Sequence, residues 1–415
     1  MNETGRLKHA ARAVDERRGN RDLPLMSVSM SRGVVRRSEL TDDLPRAEDL
    51  SNYRVCHSDD LVINRMSAYQ GALGRAKEIG VVSPDYLVLR FRSEVDPRYA
   101  EYLFLSQFMV GEMTSLLRGV GSPGLGTVRT PRVNWSDLGQ LSVQWPQLDD
   151  QQQISKFLDV QTTKIDALIS KQEQLIETLA ERRQAVISHA VTKGLDPDAP
   201  MTDVAAKWVE RIPVSWNMKR VSWLFGTVGS GTTPTSGNER YYGEGTPWVT
   251  TGELRETTIL STAKSVTGEA LSNFSSLRVY GPGTLLIAMY GATIGRLGEL
   301  GISACTNQAC CAMAEPQGVL PRFVHYSLLA AKPHILVLAV GGGQPNINQE
   351  VIRALRLPTP GITEQQEIVD FLNRETSQID GLSAKAREMI VVLKERRQAL
   401  ISAAVTGKID VRGLS

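Results

Sequence analysis

The sequence predicts a mixed α/β chain of the α+β kind, in which two globular domains alternate with two long helices as an internal duplication. Two observations carry this prediction: long segments recur at one fixed spacing, and each recurring segment has the apolar stripe of an amphipathic helix. Short β-rich runs and glycine-rich turns fill the remainder. With 415 residues and 41% hydrophobic residues, the chain is long and apolar enough for two to three domains with cores.

The duplication is clearest where residues 151–158 match 365–372 and residues 181–188 match 395–402. Both pairs are separated by 214 residues, with no gap between them. Weaker matches continue upstream, at 133–134 with 347–348, at 97–99 with 321–323 and at 71–75 with 291–296. We therefore expect the helices to do one task twice, and the more divergent globular parts to do two different tasks on one scaffold.

The first globular domain is assigned to residues 1–148, with β-rich runs at 61–63 and 87–91 and a helical pattern at 97–117. A linker and the second globular domain are assigned to residues 194–363. The second domain has a β-rich run at 284–289 and a helical pattern at 321–340. Both domains are expected to be mixed α/β.

The central helix is assigned to residues 149–193, the distal helix to 364–406 and a C-terminal tail to 407–415. Apolar residues recur at heptad spacing, interrupted by Gln161 and Gln172, and the predicted core positions are Ile154, Leu158, Ile165, Leu168, Leu175, Leu179 and Val186, with Ile368, Leu372, Ile379, Leu382, Met389, Leu393 and Leu400 in the second copy. Each helix would be about 60 Å long, at ~1.5 Å per residue. A long helix with one apolar stripe needs a partner, and the other copy supplies it. We expect an antiparallel coiled coil with a globular domain at each end, related by a pseudo-twofold repeat.

Glycine-rich loops at 119–126, 229–234 and 341–346 stand out in the globular domains. None has the spacing of a nucleotide-binding P-loop. Exposed amides and small polar side chains suit phosphates and base edges, since Gln and Asn pair with adenine and Arg with guanine. The candidate DNA contacts are Arg65, Tyr69, Gln70, Arg75, Thr127 and Arg129 in the first domain, and Thr232, Thr233, Tyr241, Tyr290, Thr293, Arg296, Gln344 and Asn346 in the second. For each one, an ordinary role in a turn or sheet edge remains the alternative.

Charged clusters on the helices, Glu181, Arg182 and Arg183 with their copies Glu395, Arg396 and Arg397, are candidate subunit-interface residues. A charge run is more often a solvated helix face. Its presence in both copies favours a partner that binds twice.

Composition argues against several other classes of protein. A net charge of +2 does not fit a uniformly basic DNA-coating protein. The four cysteines include no C-x-x-C pair, so free buried thiols are expected and no metal site. No secretory signal or membrane-spanning run is visible, so a cytoplasmic location is expected. Signatures of adenine methyltransferases, metal nucleases, hydrolases and nucleotide-binding enzymes are missing, so no catalytic residue is assigned.

The repeated helix motif resembles the central and distal repeats of type I restriction–modification specificity subunits. It reads (E/Q)-Q-x-x-I-x-x-F-L, then I-D, then E-R-R-Q-A-x-I-S-x-A-V-T, and the likeness extends to the lead-in segment 208–216 and to 233–234 and 247–249. One departure stands out. The first domain starts near Arg6, which we align with Met218, and has no equivalent of residues 212–216.

The resemblance implies two target-recognition domains, each reading half of a bipartite, asymmetric double-stranded DNA site, with the half-sites about one helical turn (~34 Å) apart. It implies two methyltransferase subunits docked near the helices, which carry S-adenosylmethionine and flip out the target adenine. It also allows two ATP-dependent, Mg²⁺-requiring restriction/translocase subunits. No cofactor, catalytic role or membrane contact is expected in this chain itself.

Three alternatives remain open from sequence. A free-standing methyltransferase or nuclease would transfer methyl groups or cut DNA without partners. A coiled-coil scaffold that binds only protein would leave the two glycine-loop domains unexplained, and salt-sensitive DNA binding would argue against it. A silent or swap-donor copy of a recognition gene is the third.

Overall fold

A computed structural model describes residues 3–30, 32–41, 49–117, 132–339 and 346–411. The chain forms two compact units, which we call unit 1, Met1–Gln174 with Ala386–Ser415, and unit 2, Leu175–Lys385. Each unit therefore holds one globular domain and a piece of each long helix. In the described part of the chain, no helix combines the length and the apolar character needed to span a bilayer.

The strands of unit 1 are β1 Glu3–Arg6, β2 Ala11–Val14, β3 Met26–Ser29, β4 Gly33–Arg36, β5 Arg54–Cys56, β6 Leu61–Asn64, β7 Leu73–Arg75, β8 Gly80–Val82, β9 Tyr86–Phe91 and β10 Ser142–Trp145. Its short helices are α1 Leu7–Ala10, α2 Pro97–Leu105, α3 Gln107–Ser115 and α4 Trp135–Leu138. The four-stranded sheet has the order β2-β9-β6-β7, and every pair is antiparallel. Helix α2 begins where Asp96 caps it by accepting from Tyr99 N at 2.8 Å, with Pro97 in the first turn.

The strands of unit 2 are β11 Met201–Ala206, β12 Val209–Pro213, β13 Asn217–Arg220, β14 Phe225–Ser230, β15 Tyr242–Val249, β16 Thr258–Ile259, β17 Ser265–Val266, β18 Leu285–Ala288, β19 Leu297–Leu300, β20 Cys305–Thr306, β21 Cys310–Pro316 and β22 Arg356–Thr359. The intervening helices are α6 Val221–Leu224, α7 Gly268–Asn273, α8 Pro321–Val337 and α9 Gln349–Ala354. The five-stranded sheet has the order β14-β21-β18-β19-β16. Its central strand β18 is buried along its whole length because both faces are covered.

The long helices are α5, Leu148–Lys193, and α10, Ile362–Val405. In unit 1 the beginning of α5 lies against the end of α10: Ile154 and Leu158 share a core with Ile401 and Val405. In unit 2 the roles are exchanged, and Ile187 and Val191 share a core with Ile368 and Leu372. The expected pairing of the two helices is thus seen locally within each unit.

The buried stripe of each helix differs from the predicted one at its middle. Leu168, Leu175, Leu382 and Met389 are 42–51% exposed, so their prediction as core positions is wrong. Alternating steps of three and four from the buried Ile165 reach Ile169, Gln172, Ile176 and Leu179, which are the partly or fully buried positions. The same steps from Ile379 reach Ser383, Ala386, Ile390 and Leu393. Ile390 is the residue next to the exposed Met389. In α10 the small side chains of Ser383 and Ala386 disguise the stripe, whereas in α5 the partly buried Ile169 and Ile176 lie next to the equally apolar Leu168 and Leu175.

In each unit, a buried glutamine near the start of a long helix joins that helix to the sheet domain. Gln151 is buried, accepts from Asp96 N at 2.9 Å and donates to the carbonyls of Pro146 and Glu94. Gln365 is also buried and makes the corresponding bonds with Leu320 N, Pro360 O and Gly318 O. These matched contacts support the duplication read from the sequence.

The register of the strands corrects two alignments between the halves. Arg6 pairs with Ser142 as Arg220 pairs with Arg356, so Arg6 corresponds to Arg220 and not to Met218. Gly71 and Gly295 both have positive φ directly before the second strand of a hairpin. Residues 73–75 therefore correspond to strand β19 rather than to the turn at 291–293.

Candidate nucleic-acid interface

Three strand ends of the unit 2 sheet meet at one edge. Strand β14 ends at Ser230 opposite Cys311, and β18 ends at Ala288 opposite Cys310. Because neighbouring strands in this part of the sheet are antiparallel, the loops leaving β14 and β18 and the loop entering β21 emerge together. We call the polar residues there the sheet-end surface; they are Thr232, Thr233, Tyr290, Thr293, Arg296, Gln308 and Asn346.

The turn between β18 and β19 presents side chains outward from this edge. Thr293 Oγ1 donates to Tyr290 O at 2.8 Å and stabilises the turn, so its hydroxyl has a structural role. Tyr290 is 43% exposed, and Arg296 at the end of the turn is exposed. Tyr290 forms a backbone bridge with Asn346, whose side chain is also exposed. The structure therefore brings together residues that are distant in sequence.

The loop after β14 is held close to the sheet by a glycine. A Cβ on Gly231 would lie 1.7 Å from Thr306 O, so no larger residue fits there, and Gly231 N donates to Thr306 Oγ1 at 3.0 Å. Trp248 Nε1 donates to Thr232 O at 3.2 Å, which fixes the next residue. The loop is consequently preorganised before any ligand arrives.

Gln308 is a candidate that the sequence reasoning missed. Its Oε1 accepts from Thr233 Oγ1 at 2.5 Å, and the residue is exposed at the start of β21. Accepting from Thr233 orients the amide so that its NH₂ group faces away from that bond. A polar pair, Asn307 and Gln308, directly before the buried run of β21 was the available signal.

Two second-domain candidates fall elsewhere. Tyr241 packs edge-on against Phe274, with ring centroids 5.1 Å apart, in a small satellite core. Its prediction as a DNA contact finds no support in this packing. Gln344 lies outside the described residues.

Unit 1 presents a different chemistry at the corresponding end of its sheet. Arg65 donates through Nε to Val133 O at 3.0 Å and also bonds Asn134, and burial together with Arg132 and Arg54 lowers its pKa. Arg65 is therefore tied to the backbone. Tyr69 and Gln70 lie in the same β6–β7 connection, with Gln70 Nε2 donating to Tyr69 Oη at 3.3 Å.

Additional arginines surround this end of unit 1. Arg54 and Arg17 contact Asp15 at 2.9 and 2.6 Å, and hydrogen bonding from Arg17 lowers the pKa of that carboxyl group. Arg132 contacts Asp85 at 3.1 Å. Four guanidinium groups thus lie near two carboxylates, which leaves the unit 1 sheet end cationic.

Arg75 is placed at the opposite end of the unit 1 sheet. It is the last residue of β7 and contacts Asp59 at 2.6 Å and Glu101 at 3.7 Å. It therefore does not lie with Tyr69 and Gln70, and its role as a DNA contact stays a prediction. Thr127 and Arg129 fall outside the described residues.

The charged clusters on the two long helices contain both ion-paired and exposed residues. Arg183 contacts Asp380 at 3.1 Å and Arg397 contacts Asp166 at 2.9 Å, so the last arginine of each cluster bonds within its own unit. Glu181, Arg182, Glu395 and Arg396 are exposed. Only these four remain suited to meet a partner.

Cysteine chemistry plays no visible part in the sheet-end surface. All four cysteines are buried and free, and burial raises the pKa of Cys56 and Cys305 to about 11 and of Cys310 and Cys311 to about 12. Across the described ranges, no group of three or more His, Cys, Asp or Glu is arranged to hold a metal ion.

Comparison with known proteins identifies relatives of this fold. Residues 213–388 match the family model described as type I restriction modification DNA specificity domain. The putative MjaX specificity subunit of Methanocaldococcus jannaschii is 22% identical over 382 residues, which cover 88% of this chain and 82% of the relative. The MjaIX specificity subunit of the same organism is 25% identical, over 40% of this chain and 39% of the relative. The EcoR124I/EcoR124II specificity subunit of Escherichia coli is 23% identical, over 39% and 42%. The chain thus spans less than half of two of these three relatives.

Solved structures extend the likeness to the whole fold. A chain from a study of complex assembly in the type I R-M system superposes with a TM-score of 0.73 at 17% identity, covering 98% of both chains. The HsdS subunit from Thermoanaerobacter tengcongensis gives a TM-score of 0.52 at 16% identity, covering 98% of this chain and 97% of that one. At such identities the likeness shows a shared fold.

Proposed function

We propose that the chain is a type I restriction–modification specificity subunit and that its two units read the two halves of a bipartite, asymmetric double-stranded DNA site. It is a DNA-recognition component and not itself the catalyst. One observation carries the proposal: the units share their internal contacts, such as Gln151 and Gln365, but differ at their sheet ends. Two units with the same internal contacts and different polar residues at their sheet ends are suited to bind two half-sites of different sequence.

The sheet-end surface of unit 2 offers groups that read base edges. The amides of Gln308 and Asn346 have the donor and acceptor pair that matches adenine, and the guanidinium of Arg296 matches guanine. Each good bidentate pair discriminates against a wrong base by about 1–3 kcal/mol. Unit 1 offers a cationic edge around Arg54 and Arg132 instead, which suits phosphates as well as guanine.

The helices would join the two readers and receive the catalytic partners. The repeated contacts of Asp166 with Arg397 and of Asp380 with Arg183 support an antiparallel, pseudo-twofold arrangement. The exposed Arg182 and Arg396 would each meet one methyltransferase subunit, which brings S-adenosylmethionine and methylates adenine N6. Two ATP-dependent restriction subunits, with ATP and Mg²⁺, would complete the complex. Its chromosomal substrate places the complex in the cytoplasm.

The experiment is a genome-wide map of N6-methyladenine in cells with the gene, without it, and with single variants restored. Deletion is expected to erase methylation at one split motif. Asn346→Ala and Gln308→Ala are expected to relax one half of the motif only, and Arg132→Ala is expected to affect the other half. Arg374→Ala, on the exposed face of α10, is the matched control and leaves the map unchanged.

The outcomes separate the alternatives. An unchanged map on deletion would reject the recognition role in this cell and favour a silent copy or a protein-binding scaffold. Relaxation of both halves by Asn346→Ala would contradict the division of labour between the units.

A further inference from the structure

A pocket at the sheet end of unit 1 contains two arginines whose hydrogen-bonding capacity is only partly used. The pocket measures about 200 Å³ and lies where β2 and β6 end, on the cationic edge of this unit. Leu87 and Trp135 are among its apolar walls, and Arg54, Arg65 and Asp15 supply its charged side chains. A ligand in this pocket can therefore meet both guanidinium groups at once.

Each of the two arginines is held in place through two of its three nitrogens. Arg54 donates from Nε to Asp15 Oδ1 at 2.9 Å and from Nη1 to Tyr86 O. Arg65 donates from Nε to Val133 O at 3.0 Å and from Nη2 to the asparagine that follows. Among the described residues, Arg54 Nη2 and Arg65 Nη1 donate to no protein acceptor. Two fixed cations thus keep one donor nitrogen each for a ligand.

The positive charge around the pocket is only partly balanced by the protein. Burial lowers the pKa of Arg65, and the cations Arg132 and Arg54 lower it further, against the opposing effect of Asp85. Asp15, the carboxylate in the pocket wall, is 63% exposed, so water screens its charge. Because a bound anion favours the charged form of a partly buried guanidinium group, an anion would stabilise this arrangement.

Unit 2 carries an apolar side chain at the position of Arg65. Val133 N donates to Arg65 O at 3.0 Å. In the same way Ile347 N donates to Met289 O at 2.9 Å, so Met289 is the counterpart of Arg65. Met289 is 2% exposed and lies in the apolar core of its unit. The scaffold therefore accepts methionine here, and the arginine of unit 1 has a use other than stability.

We propose that the pocket binds one tetrahedral oxyanion, namely a phosphate of the DNA backbone beside the first half-site. An arginine that reads guanine uses two nitrogens of one guanidinium group, whereas Arg54 and Arg65 each have one to offer. Two single donors on separate cations suit two oxygens of one phosphate group. DNA as the source of this phosphate rests on the proposed function, and the affinity for an oxyanion does not.

The first test titrates inorganic phosphate into the full chain by isothermal titration calorimetry at constant ionic strength. One saturable site is expected, and Arg65→Met, which copies the side chain of unit 2, should weaken it by about tenfold. Arg92→Met is the matched control, because Arg92 is exposed and follows β9 at the opposite end of the sheet. Arg54→Gln, which removes the other donor, should repeat the loss, and circular dichroism checks the fold of each variant. Phosphate binding that is absent, or equal in all four proteins, would overturn the proposal.

The second test identifies the source of the phosphate. The assembled complex binds its DNA site with single backbone phosphates replaced, one at a time, by uncharged methylphosphonates. One replacement beside the first half-site is expected to weaken binding of the unaltered complex by about tenfold. The same replacement should not affect the Arg65→Met complex, in which the contact is already lost.

The outcomes separate this proposal from the proposed function. Arg65-dependent binding of inorganic phosphate without a sensitive position in the DNA would overturn the backbone as the source and leave the recognition role intact. A complex that binds no specific DNA would reject the recognition role, and the titration with inorganic phosphate would still decide whether the pocket takes an oxyanion.

Discussion

At the scale of single residues, neighbouring side chains of the same type have opposite roles. Gln151 is buried with three hydrogen bonds, whereas Gln152 is exposed. The sequence shows three glutamines in a row and repeats two of them, but it does not say which one turns inward. The answer depends on where the helix meets the sheet domain, which is a tertiary property.

Gln151→Ala is expected to destabilise unit 1 by about 2–4 kcal/mol, because the buried Asp96 N and two part-buried carbonyl groups lose their partner. Gln152→Ala is the matched control and should change the free energy of unfolding by less than about 0.5 kcal/mol. Urea unfolding measured by circular dichroism compares the two. Equal effects would contradict the clamp role of Gln151.

His325 gives a pH-dependent contribution to stability. Its desolvation, with Arg322 and Arg183 nearby, lowers its pKa to about 3, well below the unfolded value of 6.5. Below pH 6.5 the His325 side chain therefore binds a proton in the unfolded chain, whereas in the folded chain it stays neutral until near pH 3. The free energy of unfolding is therefore unaffected by His325 titration above pH 6.5 and decreases as the pH falls from 6.5 towards 3.

The predicted consequence is a steeper acid loss of stability in the native protein than in His325→Gln. Over pH 6.5 to 5 the two slopes should differ by up to about 1.4 kcal/mol per pH unit. Chemical unfolding at several pH values measures this. Parallel curves would mean that His325 does not titrate differently in the folded state.

At the scale of elements, the helices were predictable in extent and less so in orientation. The predicted bounds 149–193 and 364–406 lie close to α5 and α10. The buried stripe was correct at Ile165 and Leu179 but one position off at Leu168 and Leu175. Hydrophobicity alone cannot separate Leu168 from Ile169, because a three-four spacing permits either until the partner is known.

Ile169→Ala is therefore expected to destabilise the protein by about 1 kcal/mol, since it removes partly buried methyl groups from the stripe. Leu168→Ala removes similar groups from an exposed position and should be close to neutral. Thermal melting of both variants against the unaltered chain decides between the two stripes. A larger loss for Leu168→Ala would restore the stripe first predicted from sequence.

The candidate site shows the same limit of prediction. Tyr290, Arg296 and Asn346 were named as candidates from the sequence, and the sheet brings them to one edge. Gln308 was missed because its loop has no glycine to mark it. Arg75 lies at the other end of its sheet because it is the last residue of strand β7, which the sequence likeness between 71–75 and 291–296 did not indicate.

At the scale of the whole molecule, the two units have the same internal contacts but different polar residues at their sheet ends. A net charge of +2 hides a cationic edge in unit 1 and a largely neutral, amide-bearing edge in unit 2. If both edges contact DNA, they should contribute differently to affinity. The cationic edge would release more counterions in addition to reading its half-site, whereas the neutral edge would contribute mainly by selecting bases.

Binding of the assembled complex to its DNA site is expected to reflect this difference. Arg132→Ala should lower the slope of log K against log salt by about 1, whereas Asn346→Ala should weaken binding with the slope unchanged. Filter binding between about 50 and about 200 mM salt measures both quantities. Identical slopes in both variants would argue against phosphate contact by Arg132.

The buried cysteines have a practical consequence for watching this protein at work. With every native thiol sequestered and its pKa at about 11 or above, maleimide dyes at neutral pH should label the folded chain hardly at all, and the reaction should proceed only on unfolding. A single cysteine introduced at exposed Arg182, and another at exposed Arg396, would then accept fluorophores without removal of the natural ones. Energy transfer between the two dyes would then report how the separation of these two positions changes as DNA is added.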